Sequence, residues 1–100
     1  MSYSLVYFDE ARQDIKEAKE WYKKQSHGLE MRYAASVKSI ILYIRQHPYA
    51  FAIRHKNIRI AHPKIFPYGI HYYIDESTRS IVIVAIIHNK RNPETTDNRL

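Results

Sequence analysis

The seven residues from Ile81 to Ile87 are all apolar, most of them β-branched, and they constrain this chain more than any other feature. The run is far shorter than the roughly 20 residues that a membrane helix needs. Branching at Cβ favours instead a strand covered on both faces. Upstream, Phe66, Tyr68, Ile70, Tyr72 and Ile74 share one parity, the period of two of a strand with one buried face. Asp75-Glu76-Ser77-Thr78-Arg79, between the two, is rich in turn formers. The pair reads as two strands joined by a turn. His88-Asn89-Lys90-Arg91-Asn92-Pro93 then delivers polar and cationic groups to the rim of the sheet.

The rest of the chain supplies what covers that sheet. Tyr3 to Phe8 alternates as a first strand, and Asp9 follows as a helix N-cap, with Glu10 placed to favour the helix dipole. Ala11, Ile15, Ala18 and Tyr22 then recur at helical spacing, and Lys23-Lys24 with Gly28 beyond them are stop signals. A second helix spans Leu29 to Gln46, using Tyr33, Val37, Ile40, Ile41 and Ile44, until Pro48 forbids continuation. The short connection makes the helices an antiparallel hairpin. Tyr49 to Asn57 reads as loop, Ile58 to His62 as a short strand, and Pro63 breaks it before the strand at 65–74. The expected order is β-α-α-β-β-β: an α+β domain with the helical hairpin on one face of a small, mainly antiparallel sheet. Residues 1–100 form one domain, and 89–100 are a polar tail expected to be loosely ordered.

Charge is distributed unevenly. Residues 1–30 carry five Lys/Arg against six acids, and 75–100 carry four of each, whereas 31–74 carry seven Lys/Arg and no acid. The whole net charge of +6 therefore sits in the middle block, together with His47, His55, His62 and His71. Such asymmetry points to a polyanionic partner, either nucleic acid or an acidic protein segment. No cysteine is present, which removes disulfides, thiolate metal sites and cysteine nucleophiles. No signal peptide or membrane segment is visible, so a cytoplasmic protein without a membrane partner is expected.

Several chemistries lack their residues. His62, His71 and His88 fall near one another on adjacent strands, but their spacing does not require a metal, and no metal or cofactor is expected. Two glycines cannot build a phosphate-cradling loop, and there is no nucleophile elbow. A metal-free ribonuclease needs a base, an acid and a cation beside the scissile phosphate. His71, His88 and Tyr73 offer the first two; Arg59, Lys64, Lys90 and Arg91 offer the third. Bland alternatives stand beside each. His71 and Tyr73 have the parity of a wetter sheet face, His88 ends a buried strand, and Tyr68 and Tyr72 belong to the core stripe. Arg91, just past that strand, has few packing reasons to be there.

The element order, the phrase Phe66-Pro67-Tyr68-Gly69-Ile70 with Tyr72, and the exit from His88 to Pro93 together resemble the RelE/ParE toxin superfamily of type II toxin–antitoxin systems. The resemblance covers essentially the whole chain. It implies a small basic toxin, associated with plasmid stabilisation, that a cognate antitoxin neutralises by laying an acidic or amphipathic segment over it. It also allows a homodimer, or a heterotetramer with that antitoxin. One branch cleaves mRNA on the ribosome without a metal; the ParE-like branch poisons DNA gyrase and has no active site. Arg91 matches the arginine that follows the last strand in the cleaving branch, and Arg59 and Lys64 would join its cationic cluster. Where that branch has an arginine on the middle strand this chain has Tyr68, and no aromatic residue follows Tyr73. The resemblance therefore favours the ParE-like branch. It implies Arg59, Lys64, Tyr73, Lys90 and Arg91 as contacts to target or antitoxin, and His71, His88, Arg59, Lys64 and Arg91 as the cluster of a nuclease. A basic nucleic-acid-binding domain without toxicity is the remaining alternative.

Overall fold

The computed structural model describes residues 3–92 and 94–100; Met1 and Ser2 of the N-terminal segment and Pro93 of the basic exit lie outside them. The elements are β1 (Ser4–Tyr7), α1 (Asp9–Gln25), α2 (Leu29–Gln46), β2 (Ile53–His55), β3 (Ile58–Ala61), β4 (Tyr68–Asp75), β5 (Ser80–His88) and α3 (Glu94–Arg99). Among the described residues, one sheet holds the five strands in the order β1-β5-β4-β3-β2, with β1 parallel to β5 and the other pairs antiparallel. This is the expected α+β arrangement, with two elements added. Among the described residues, no helix is long and apolar enough to cross a membrane.

The α1–α2 hairpin covers one sheet face. Ala11, Ala18 and Tyr22 from α1 and Tyr33, Val37, Ile41 and Ile44 from α2 bury against Ile70, Tyr72, Ile81, Ile83 and Ile86. At the end of this layer Tyr22, Tyr33, Phe66 and Tyr68 pack ring on ring, with centroids 5.1 to 6.2 Å apart. The Tyr72 hydroxyl, deep in the layer, donates to the Pro48 carbonyl at 2.8 Å. The unbroken apolar run hides a bulge. His71 lies opposite Ala85 and Tyr72 opposite Ile83, so Val84 is the extra residue and the alternation shifts by one. Ile81, Ile83 and Ile86 accordingly face the helices, while Ala85 joins His71 on the far side.

Four local expectations are corrected. Asp9 is not the N-cap: Phe8 holds the extended cap conformation because its N–H still belongs to the sheet, donating to the Ile83 carbonyl at 2.9 Å. Asp9 and Glu10 both lie in the first helical turn, where their charge suits the dipole. The 49–57 stretch is not all loop, because Ile53–His55 pairs with β3 through a tight turn in which Lys56 has a φ of 53°. Strand β4 begins at Tyr68 rather than at 65, because Ile65 is left-handed at φ 76° and Pro67 has no N–H to give to a ladder. The polar tail contains α3, which lies over the second sheet face.

That tail is fastened by polar bonds. Thr96 Oγ1 meets His71 Nδ1 at 2.8 Å on β4, and Asp97 meets His55 Nε2 at 2.9 Å on β2. Arg99 reaches past β5, where β1 has already ended. It forms a two-pronged ion pair with Asp14 of α1 at 2.6 and 2.9 Å and donates to the Val84 carbonyl at 3.0 Å. Asp14 in turn accepts the Ile86 N–H at 3.0 Å. The Asp14–Arg99 pair thus stands in for the missing part of β1, satisfying backbone groups that would otherwise be orphaned at a sheet edge.

Candidate functional site

The second sheet face ends in a shallow cleft of about 300 Å³ lined by Arg54, Ile60, His62, His71, Ile87, Asn89 and Arg91. No acid lines it. Gly69 is what lets the floor close: a Cβ there would come within 3.0 Å of Ile60 Cγ2 and 3.2 Å of His71 Nε2. Burial drives the His71 pKa down to about 4, helped by the nearby His62 and Arg99 charges, so this imidazole is neutral at neutral pH. His62, on the rim, shares a hydrogen bond between its Nδ1 and the Tyr68 carbonyl at 2.9 Å.

Arg91 is exposed and shared between this cleft and a second one of about 220 Å³, whose wall includes Glu17, Trp21, Tyr68 and His88. His88 is half-buried against the Tyr68 ring, edge to face with centroids 5.4 Å apart, and its Nδ1 accepts the Lys90 N–H at 3.1 Å. Burial raises the Tyr68 phenol to about 12, so it stays protonated. Lys90 is exposed on the turn itself.

The other sequence-predicted residues lie elsewhere. Arg59 stands opposite Tyr72 on the helix-covered face, where its guanidinium donates to the Phe51 carbonyl and lies 5.0 Å from the centre of the Tyr49 ring. Lys64 sits after β3 beside α2, and Ser36 Oγ donates to its carbonyl at 2.9 Å. Tyr73 is half-buried and has the parity of His71 but does not line the cleft. The cluster expected of a nuclease is therefore divided: His71 and Arg91 come together, His88 faces the neighbouring cleft, and Arg59 and Lys64 are on the helical side. His62, His71 and His88 do not gather into a metal-binding group; among the described residues no His, Cys, Asp and Glu set does.

Sequence reasoning missed Arg54 and Asn89 as wall residues and missed the Asp14–Arg99 pair. Arg54 was hidden because its short edge strand looks like loop. Asp14 did leave a signal: it falls on the apolar stripe of α1, between Ala11 and Ala18, and a carboxylate there needs a partner.

In comparisons with known proteins, the family described as ParE toxin of type II toxin–antitoxin system, parDE, matches the chain over residues 5–93. No curated protein matches it by sequence. Among solved structures, the toxin–antitoxin complex RelBE2 from Mycobacterium tuberculosis is similar, with a TM-score of 0.67 and 18% identity, covering 88% of this chain and 99% of that one. The chromosomal ParDE system from P. aeruginosa gives a TM-score of 0.64 and 14% identity over 86% of this chain and 95% of that one. A free mutant of the E. coli toxin RelE gives 0.63 and 13% identity over 97% and 93% of the two chains. Identities this low carry the fold alone.

Proposed function

The chain belongs to the ParE toxin family of type II toxin–antitoxin systems, and from that premise we propose that it acts by binding DNA gyrase and is held inactive by a cognate antitoxin. One observation carries this choice of target. Cleavage of RNA through its 2′-hydroxyl needs base, acid and cation around a single phosphate. Here Arg59 is turned onto the Phe51 carbonyl, Lys64 lies beside α2, and His71 is buried and neutral under α3. A toxin that only binds its target has no need to converge them. We read the whole chain as one toxin domain, acting in the cytoplasm, with Arg91 and Lys90 as exposed contacts and Tyr73 in a lesser role. We read the toxin as forming a homodimer, or a heterotetramer with that antitoxin.

A second reading has its own support. Arg54, His62, His71, Asn89 and Arg91 line one acid-free cleft, a suitable cradle for a phosphate. In that reading the protein is a ribosome-dependent mRNA endonuclease of the RelE kind. Purified protein tested side by side decides between them. Gyrase supercoiling with DNA-break detection is expected to show trapped breaks while mRNA stays intact with and without ribosomes; ribosome-dependent cleavage overturns the gyrase reading. Arg91→Ala is expected to abolish growth inhibition in either case while leaving the thermal unfolding midpoint unchanged.

A further inference from the structure

The smaller cleft, beside α1, collects groups that the fold itself does not use. Trp21 leaves 55% of its surface exposed, whereas the core takes Ala11, Ala18 and Tyr22 from the same helix. The indole meets Tyr22 edge to face, with centroids 5.1 Å apart, and lines the cleft opposite Tyr68, His88 and Arg91. Glu17 precedes Trp21 by four residues, which puts its carboxylate one helical turn away on the same face. Glu17 Oε2 accepts one bond from Gln13 at 3.1 Å. A carboxylate has about four lone-pair sites, so most of that capacity is left. Among the described residues the Arg91 guanidinium makes no hydrogen bond or ion pair; its backbone N–H alone is engaged, by the His88 carbonyl at 2.9 Å. His88 Nδ1 accepts the Lys90 N–H, so in the neutral ring Nε2 carries the proton and is a donor.

A further polar group stands behind this wall. Tyr33 is fully buried, its ring centre 5.1 Å from that of Tyr68, and its hydroxyl has no protein partner among the described residues. Its electrostatic neighbours are Tyr68, Tyr22 and Asp14, and both Tyr68 and Asp14 line the cleft. A buried donor left unpaired costs stability, and a molecule seated in the cleft can recover it, directly or through a bridging water.

These groups sort the possible occupants. At about 220 Å³ the cleft is smaller than the roughly 300–1,000 Å³ that encloses a whole drug-sized ligand. It therefore takes one flat group and leaves the rest of the molecule outside. An aliphatic side chain would cover the indole but strand the Glu17 and Arg91 charges. Inorganic phosphate would pair with Arg91 and leave the indole bare. A planar ring with donors along one edge and a negative charge at its far end uses every group. Guanine has adjacent N1–H and N2–H donors that fit a carboxylate, whereas adenine sets an acceptor beside its donor and the pyrimidines offer a single donor position. We propose that this cleft binds a guanine mononucleotide, with the base stacked on Trp21, its donor edge on Glu17 and its phosphate held by Arg91 and His88.

The chain has a single tryptophan, so one indole N–H signal in a proton–nitrogen NMR spectrum reports on the site, and isothermal titration gives the affinity. The purified full chain is titrated with GMP, AMP, guanosine and inorganic phosphate at fixed ionic strength. GMP is expected to shift the Trp21 signal saturably with a Kd of about 0.1–1 mM, the range for one stacked base and one ion pair. AMP and guanosine are each expected to bind about tenfold more weakly, since each lacks one charge-assisted contact. Trp21→Ala is expected to weaken GMP binding at least about tenfold by calorimetry. Glu17→Gln is expected to bring GMP and AMP within about twofold of each other, and Arg91→Ala to do the same for GMP and guanosine. All three side chains are exposed, so an unchanged unfolding midpoint separates a lost site from a lost fold. Equal binding of GMP, AMP and phosphate overturns the proposal, because charge attraction alone then accounts for it. So does a Trp21 signal unmoved by GMP at about 10 mM. Binding to 5′-phosphorylated RNA that grows with length and ignores Trp21→Ala also overturns it, making the chain a single-strand binder instead. Nucleotide binding and toxicity are measured separately, so either reading can fail without the other.

Discussion

Replacing Arg99 with Met tests whether a six-residue terminal helix is structural. Arg99 and Asp14 keep only 11% and 5% of their side-chain surface exposed, and their two-pronged pair also satisfies the Ile86 N–H and the Val84 carbonyl. Removing one partner of a buried pair leaves an uncompensated charge, at a cost of about 3–5 kcal/mol. Because α3 is only six residues long and is held to the sheet by a few polar bonds, it can lift to let water reach Asp14, and the lower end applies, about 3 kcal/mol. For a domain of this size that lowers the unfolding midpoint by about 15 °C. Asp14→Ala is expected to cost about 2 kcal/mol, since the Arg99 side chain can swing into water while the Ile86 N–H loses its acceptor. The double variant is expected to cost about 3 kcal/mol, which leaves a coupling energy of about 2 kcal/mol. Urea unfolding of the four proteins measures all three quantities, and carboxypeptidase trimming reports whether α3 has been released. A cost below about 1 kcal/mol for Arg99→Met, or additive single changes, refutes the claim that this pair completes the sheet edge.

Other tests read single interactions. His71 has a folded pKa of about 4 against an ordinary value of 6.5, so the unfolded chain binds more protons between those limits. The stabilisation from keeping it neutral is fully present above about pH 6.5 and is lost as pH falls towards 4; it amounts to roughly 3 kcal/mol. His71→Gln is expected to flatten that part of the pH–stability curve, and an unchanged slope refutes it. Tyr72→Phe leaves the Pro48 carbonyl without its buried donor and is expected to cost about 1–2 kcal/mol by urea unfolding. Arg91→Lys separates charge from geometry. A binding contact tolerates the change within a few-fold in growth inhibition, whereas a guanidinium gripping a phosphate by two hydrogen bonds does not.

Much of the architecture was readable because it rests on periodicity. The parity of Phe66 to Ile74, the stripe of α1 and the stop signals at Lys23-Lys24, Gly28 and Pro48 all correspond to what forms. The bulge was not readable. In an all-apolar run every residue is acceptable on either face, so nothing marks Val84 as the place where alternation shifts. Helix α3 has no apolar stripe either, and is held by Thr96, Asp97 and Arg99 bonding to residues 15 to 85 positions away. Within the candidate site, the grouping of His71 with Arg91 follows from adjacent strands and a shared end. The face that Arg59 occupies was not readable, because it depends on pairing with Tyr72, a register that its own sequence does not contain.

The position of Arg91 matters more than its sequence neighbourhood suggested. It stands on the lip between an acid-free cleft over β4 and an aromatic cleft beside α1, so a partner approaching either one meets the same guanidinium. Arg59 and Lys64 lie on the helical side of the sheet, and a single phosphate seated near Arg91 leaves them with nothing to neutralise. Positive charge on both sides of a sheet suits a surface that is gripped over a wide area better than a reaction centre a few ångströms across. Loss of toxicity on Arg91→Ala therefore identifies the contact without identifying the chemistry. A protein that cleaves RNA must also depend on a second group of the same cleft, Arg54 or His62, and a gyrase-binding protein need not.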